Sequence, residues 1–281
     1  MGVVSGKDLA IYGVQTVSSW KIQVPGEPAE WLSSGNQGAY GRQAGIKDWR
    51  GMYTQYSVVP DYWPGDEFTL TASINESVGA TGDVMVDGIR VVWDQAKAKK
   101  IRCDTFFSSN GDLTLGAAVA TDAVQPWPVG SVGKAIQVAV GEAALATEDD
   151  VAEMELYLFR RNPKYSGSST PGYYRRTVGD LDGQVKWKRW TDTPSGLYSP
   201  FDTVQIKMFT TATDDASPGY YLIKYGVLDL LDDFGADHWS EDPVGATMRA
   251  SFTGFYGTLL GSIDYVAGSG AGVDVAIWPP A

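Results

Sequence analysis

The sequence is poor in the residues that most catalytic and metal sites rely on. Its 281 residues include one cysteine, Cys103, and one histidine, His238. A lone cysteine excludes an intramolecular disulfide framework, and Cys103 is expected to be a small buried apolar group. A lone histidine excludes a histidine-based triad and a multi-histidine zinc site, which leaves His238 as an ordinary loop residue. Charged residues make up only 20%, and 22 bases face 34 acids, for a net charge of −12. The shortage of bases runs through both halves: residues 1–125 hold 14 acids and 10 bases, and residues 126–281 hold 20 and 12. A nucleic-acid grip needs a basic stripe, so neither half reads as one. No apolar run approaches the roughly 18 residues of a membrane span. The start, Met1-Gly-Val-Val-Ser-Gly-Lys-Asp8, has no basic residues leading into an apolar stretch. No signal peptide is expected, and synthesis in the cytosol without an anchor is.

What the chain does have is β-forming. It contains 10 Trp, 15 Tyr and 33 Gly, with hydrophobic residues at 43%. Aromatic and β-branched residues suit a pleated, half-buried surface, and Gly and Pro punctuate turns. Ser19 to Val24 alternates strictly, with Trp20, Ile22 and Val24 on one face, before Pro25-Gly26. Strands are also expected at 9–14, 48–56, 67–74, 84–93 and 99–108. Asn110-Gly111 then signals a tight turn into Asp112–Leu115. Two prolines and a glycine within 122–130 suggest a linker. Beyond it, strands are expected at 132–140, 154–159, 184–190, 203–210, 220–228 and 246–256. Ala143 to Glu153 carries the best helix pattern, with Thr147 as cap and Glu148, Asp149 and Asp150 in a first turn; a loop is the alternative. The long Gly-rich stretch from Ser33 to Lys47 reads as a functional or mobile loop.

An internal repeat organises these elements. Gly45-Ile-Lys-Asp-Trp49-Arg-Gly51 is echoed by Gly183-Gln-Val-Lys-Trp187-Lys-Arg189. Pro64-Gly65-Asp66 opens one strand and Pro200-Phe201-Asp202 another. Asp104-Thr-Phe106-Phe107 through Gly111 corresponds to Ala250-Ser-Phe252 through Gly257. The anchors Trp49, Asp66 and Phe107 thus match Trp187, Asp202 and Phe252 in order. Two tandem similar β domains are expected, 1–125 and 126–281, the second with a flexible C-terminal tail. If one such domain once formed a ring of six, the duplicated chain would fill it as a trimer.

From Ser33-Ser34-Gly35 through Gly45-Ile-Lys-Asp-Trp49-Arg-Gly51 and on to Pro64-Gly65-Asp66, the sequence resembles tail tube proteins of long-tailed bacteriophages. The likeness is good over roughly residues 1–120 and loose over 130–265; the second copy lacks the Pro-Gly-Asp triplet. The resemblance implies an all-β sandwich or barrel-like domain with a minor flanking helix. It implies rings whose strands pair between neighbours, stacking into a tube inside a virion tail, with no enzymatic activity and no cofactor. The Gly-rich loop, with Gly35, Asn36, Gly38, Tyr40, Arg42 and Gly45, would reach an adjacent subunit or ring. Other tail proteins and DNA sliding through an acidic or weakly charged lumen would be the remaining partners. A distal tail, baseplate or capsid-surface protein of the same fold is an alternative, and so is a carbohydrate-binding β-sandwich using its tryptophans.

The other motifs carry less. Asp180-Leu-Asp182-Gly183 and the acids at 229, 232 and 233 lack the ligand spacing and terminal Glu of a calcium loop, and read as turns and solvated faces. Arg160-Arg161, Arg175-Arg176 and Lys186-x-Lys188-Arg189 form the one basic concentration, interleaved with Tyr173, Tyr174, Trp187 and Trp190. A face meeting acidic neighbours explains it better than a nucleic-acid surface.

Overall fold

The computed structural model describes residues 10–14, 16–25, 29–31, 41–43, 45–75, 78–116, 134–169, 172–190, 198–199, 201–211, 218–235, 245–252, 263–266 and 276–278. The fold is all-β, and no helix occurs among the described residues. The first part of the chain forms β1 (Ala10–Ile11), β2 (Val17–Gln23), β3 (Ala29–Trp31), β4 (Gly41–Gln43), β5 (Arg50–Gln55), β6 (Glu67–Asn75), β7 (Val78–Asp94) and β8 (Arg102–Leu115). The second forms β9 (Ile136–Val140), β10 (Ala146–Thr147), β11 (Val151–Arg161), β12 (Lys164–Tyr165), β13 (Arg175–Arg176), β14 (Asp180–Trp190), β15 (Thr203–Phe209), β16 (Tyr220–Gly235) and β17 (Gly245–Phe252). Two further strands, β18 (Ile263–Val266) and β19 (Ala276–Trp278), add beside β16.

The strand order shows that the two parts are copies of one design. The first follows β1-β6-β7-β8-β5-β2 and the second β9-β15-β16-β17-β14-β11. Ranked along the chain, both read 1-4-5-6-3-2. The registers β1–β6, β6–β7, β5–β8 and β2–β5 are antiparallel, as are β9–β15, β15–β16, β16–β17 and β14–β17. Each copy also carries a short two-stranded ribbon between its second- and third-ranked strands: β3–β4 in the first and β12–β13 in the second.

Alternation explains why these segments are strands. In β11, Ala152, Met154, Leu156 and Leu158 are buried while Glu153, Glu155 and Tyr157 are not. In β14, Val185 and Trp187 point inward between Gln184, Lys186 and Lys188. Side chains one apart leave opposite faces of a strand, so this pattern commits one face to a core.

Two compact units result, and they are not the chain halves 1–125 and 126–281. One unit comprises 1–89, 103–127 and 159–181; the other comprises 90–102, 128–158 and 182–281. Each copy therefore lends a segment to the other copy's unit. The cause is strand length: β7 and β11 run on past their own copy, so the turns that follow them are built elsewhere.

The first unit's core gathers Ile11, Val14, Trp49, Tyr53, Leu70, Ala72, Val84 and Phe107, with Trp20, Ile22 and Phe68 packed against it. β2 and β6 are far apart in strand order, yet Trp20 donates its indole N–H to the Ser73 carbonyl at 3.1 Å. The sheet is therefore folded over on itself around this core. Trp49 donates to the Gly111 carbonyl at 3.0 Å and lies so close to Gly82 that a Cβ there would stand 2.6 Å from its ring. In the second unit the core includes Ile136, Val138, Leu156, Leu158, Trp187, Ile206, Tyr221, Leu228 and Met248. Trp93 packs edge-on against Tyr221, and Trp187 edge-on against Tyr198.

Two expectations fail for identifiable reasons. Residues 143–153 are not a helix: Ala146–Thr147 pairs with β9, Asp150 turns at φ +53°, and β11 starts at Val151. Of the acids meant for a helix start, Glu148 has tertiary partners instead. Glu148 is buried, pairs with Arg189 at 3.1 Å and accepts from the Tyr198 hydroxyl. Nor does Asn110-Gly111 turn the chain. Both residues lie inside β8, and neither adopts the positive φ that a two-residue turn of that type requires. Asn110 accepts from the Arg176 amide, and Gly111 from Trp49. The linker expected at 122–130 lies outside the described residues, as do His238 and most of the C-terminal tail.

Candidate functional site

Among the described residues, the most elaborate polar arrangement is where residues 159–181 of the second copy are built into the first unit. Ribbon β12–β13 brings Arg176 opposite Lys164. Arg176 reaches Asp48 at 2.8 Å and Lys164 reaches the other oxygen of the same carboxylate at 3.1 Å. Arg176 also donates to the carbonyl and the hydroxyl of Ser109, and Ser109 in turn donates to Asp48. Burial alone would raise the Asp48 carboxyl, but the two cations outweigh it and hold the group below the usual carboxylate range. Such charge-assisted, partly buried contacts are stronger than surface pairs.

The rest of the arm is tied down by backbone groups. Arg160 donates to the Pro64 carbonyl and to Gly179, both at 2.8 Å. Asn162 donates to the Val86 carbonyl and to Asp87, both at 3.1 Å. Burial raises the Asp87 carboxyl despite hydrogen bonds from Ser108 and Asn162. The Lys47 amide donates to the Gly172 carbonyl at 2.9 Å. Gly179 is obligatory, because a Cβ there would fall 1.8 Å from the Arg161 carbonyl oxygen. Much of the basic concentration at 160–189 thus meets acidic or carbonyl partners within the chain.

No known protein family matches this chain, and no curated protein is similar to it.

Strand registers fix which residues of the two copies correspond. Arg50 pairs with Ser108 and Gln184 with Ser251, and both serines donate to an aspartate, Asp87 and Asp229. This equates Arg50 with Gln184, 134 positions apart. The same offset carries the ribbons onto each other. Glu30 pairs with Arg42 as Lys164 pairs with Arg176, and Trp31 with Gly41 as Tyr165 with Arg175. Read at this offset without a gap, Ser34, Gly38, Tyr40, Arg42, Gly45 and Asp48 recur as Ser168, Gly172, Tyr174, Arg176, Gly179 and Asp182.

The expected site residues fall as follows. Gly35, Asn36, Gly38 and Tyr40 lie outside the described residues. Gly41–Gln43 is a strand rather than loop, with Arg42 in register opposite Glu30, and Gly45 follows it, half-buried. Asp66 and Asp202 close matching turns. Each accepts an amide three residues back at 2.7 Å, from Trp63 and Ser199. The residue before each aspartate, Gly65 or Phe201, has positive φ and donates to Val86 or Leu228 respectively. The other anchors shift. Trp187 stands opposite Met248 in the place of Tyr53 opposite Thr105, four residues beyond Trp49. Phe107 opposite Gly51 corresponds to Ala250 opposite Val185, so Phe252 lies two residues further along β17. The gapless recurrence is present in the sequence but is hidden when Trp49 is set against Trp187, which are 138 positions apart.

Trp49, Trp93 and Trp187 are fully buried and offer no ring face to a sugar. Cys103 is buried and its thiol is pushed far above the usual value, first by burial and then by Asp104, so it is held protonated.

Proposed function

We propose that this chain is a structural, non-enzymatic subunit of a phage-type tail tube. Chains join into rings, three chains supplying six modules, and the rings stack into a channel through which DNA passes without specific binding. It would act in the virion tail after assembly in the host cytoplasm. The observation that carries the reading is the duplicated module with its exchanged segments. A module whose ribbon is seated in a neighbouring module makes a head-to-tail contact, and such contacts close into a ring where the rotation between modules divides a full turn. Pairing open strand edges between neighbours also removes the rims that otherwise aggregate. The net charge of −12 suits a conduit that repels phosphate. The likeness of residues 33–66 to tail tube proteins points the same way.

Negative-stain microscopy of the concentrated protein tests this. Hollow tubes or stacked rings are expected. Monomers at every concentration would refute it, and single rings that never stack would move the protein to the distal end of a tail.

A further inference from the structure

We propose that ribbon β3–β4 of one chain docks on the second unit of another copy of the chain, with Arg42 against Asp182. The proposal deepens the self-assembly part of the reading above and rests on it, but does not depend on the lumen or on DNA.

In the first unit, ribbon β12–β13 sits on a seat made by Asp48, Asp87 and the turn that ends at Asp66. The second unit has the same seat: Asp182 in the place of Asp48, Asp229 in the place of Asp87, and the Ser199–Asp202 turn. The first copy has the same ribbon, with Arg42 in the register position of Arg176 and the same spacing to the strand that follows. One chain thus contains two ribbons and two seats of one design, and joins one of each. We assign the remaining ribbon and seat to each other across two copies, in a head-to-tail contact.

The second seat is built to receive something. Asp182 is half-buried, and among the described residues its one partner is the adjacent Gly183 amide, whereas Asp48 holds two cations. Phe201 is 80% exposed and held at φ +72°, a conformation that disfavours a bulky residue. Its counterpart Gly65 is covered by the arm, since a Cβ there would stand 3.0 Å from Arg160 and 3.3 Å from Val178. At the offset of 134, the first copy has Gly26 where the second has Arg160. Phe201 would fill in the contact the space that Arg160 takes over Gly65. Glu30 replaces Lys164 and opposes Asp182, so Arg42 supplies all of the ionic attraction, and Asp229 is already held by Arg249 at 2.8 Å.

Sedimentation velocity on full-length variants tests the contact. Arg42→Glu and Asp182→Arg should each raise the concentration needed for assembly at least ~10-fold, since like charges at an interface repel. The double variant R42E/D182R should recover most of the loss. Phe201→Gly should raise the thermal stability of the monomer while weakening assembly, two effects of opposite sign that a purely structural role would not produce. Undiminished assembly of R42E, or a double variant no better than either single, would overturn this contact and leave the tube reading standing. A wild-type chain that never assembles would overturn both.

Discussion

Gly51 and Phe107 face each other across β5 and β8, and Val185 and Ala250 take their places in the second copy. The large group has changed sides while the space between strands is conserved. A Cβ on Gly51 would come within 2.4 Å of both the Phe107 ring and the Lys21 carbonyl. Gly51→Ala should therefore cost about 1–3 kcal/mol by overpacking. Phe107→Ala should cost about 3–5 kcal/mol by leaving a cavity. The double variant should lose less than the sum, because removing the ring relieves part of the clash. Urea denaturation of the three variants gives all the values needed, and strict additivity would contradict the packing described. Asp48 supplies a second test. Its carboxyl is held below its ordinary value, so its stabilisation is complete above about pH 4 and is lost as pH falls through the lower folded value. Asp87 has the opposite sign: its carboxyl is raised, and protonation relieves it as pH falls. Asp48→Asn should cost about 2–3 kcal/mol at neutral pH, through loss of charged hydrogen bonds to Arg176 and Lys164. The cost should shrink as pH falls below the ordinary carboxylate value of about 4, as thermal melts across pH will register.

Among the elements, the two turns that end at Asp66 and Asp202 have the same hydrogen bonds and should respond alike. Asp66→Ala and Asp202→Ala each remove one acceptor from an amide, so each should cost about 1 kcal/mol, read by thermal melts. Strands with strict alternation, such as β2 and β14, are legible in the sequence because one face must be buried. The first part of β7 is not. Gly79 and Gly82 interrupt its pattern, and Gly82 is small because the Trp49 ring and the Asp112 carbonyl both lie against it, contacts from distant parts of the sequence. The acids at 148–150 read as a helix start, yet Glu148 is committed to Arg189 and Tyr198. Asn110-Gly111 reads as a turn, yet its polar groups serve Arg176 and Trp49. In each case a long-range partner overrides the local preference. The candidate site was legible in part. Arg42 and Gly45 stand out within the Gly-rich stretch, but their relation to Arg176 and Gly179 emerges only from strand register.

For the molecule as a whole, one module is used twice and its segments are exchanged between compact units. That design ties the stability of the first unit to a segment more than forty residues beyond its own strands. Arg176→Glu should therefore destabilise the chain itself more than R42E does, and R42E should act on assembly. Circular dichroism melts at a concentration below assembly will separate the two. An ionic contact between chains is also screened by salt, so assembly should weaken as ionic strength rises from about 0.05 to 0.5 M. Native mass spectrometry of the smallest assembly tests the central claim most directly. The account predicts a closed species with three times the mass of the 30.3 kDa chain, six modules in all. A stable dimer, or a chain that remains single at every concentration, would contradict it.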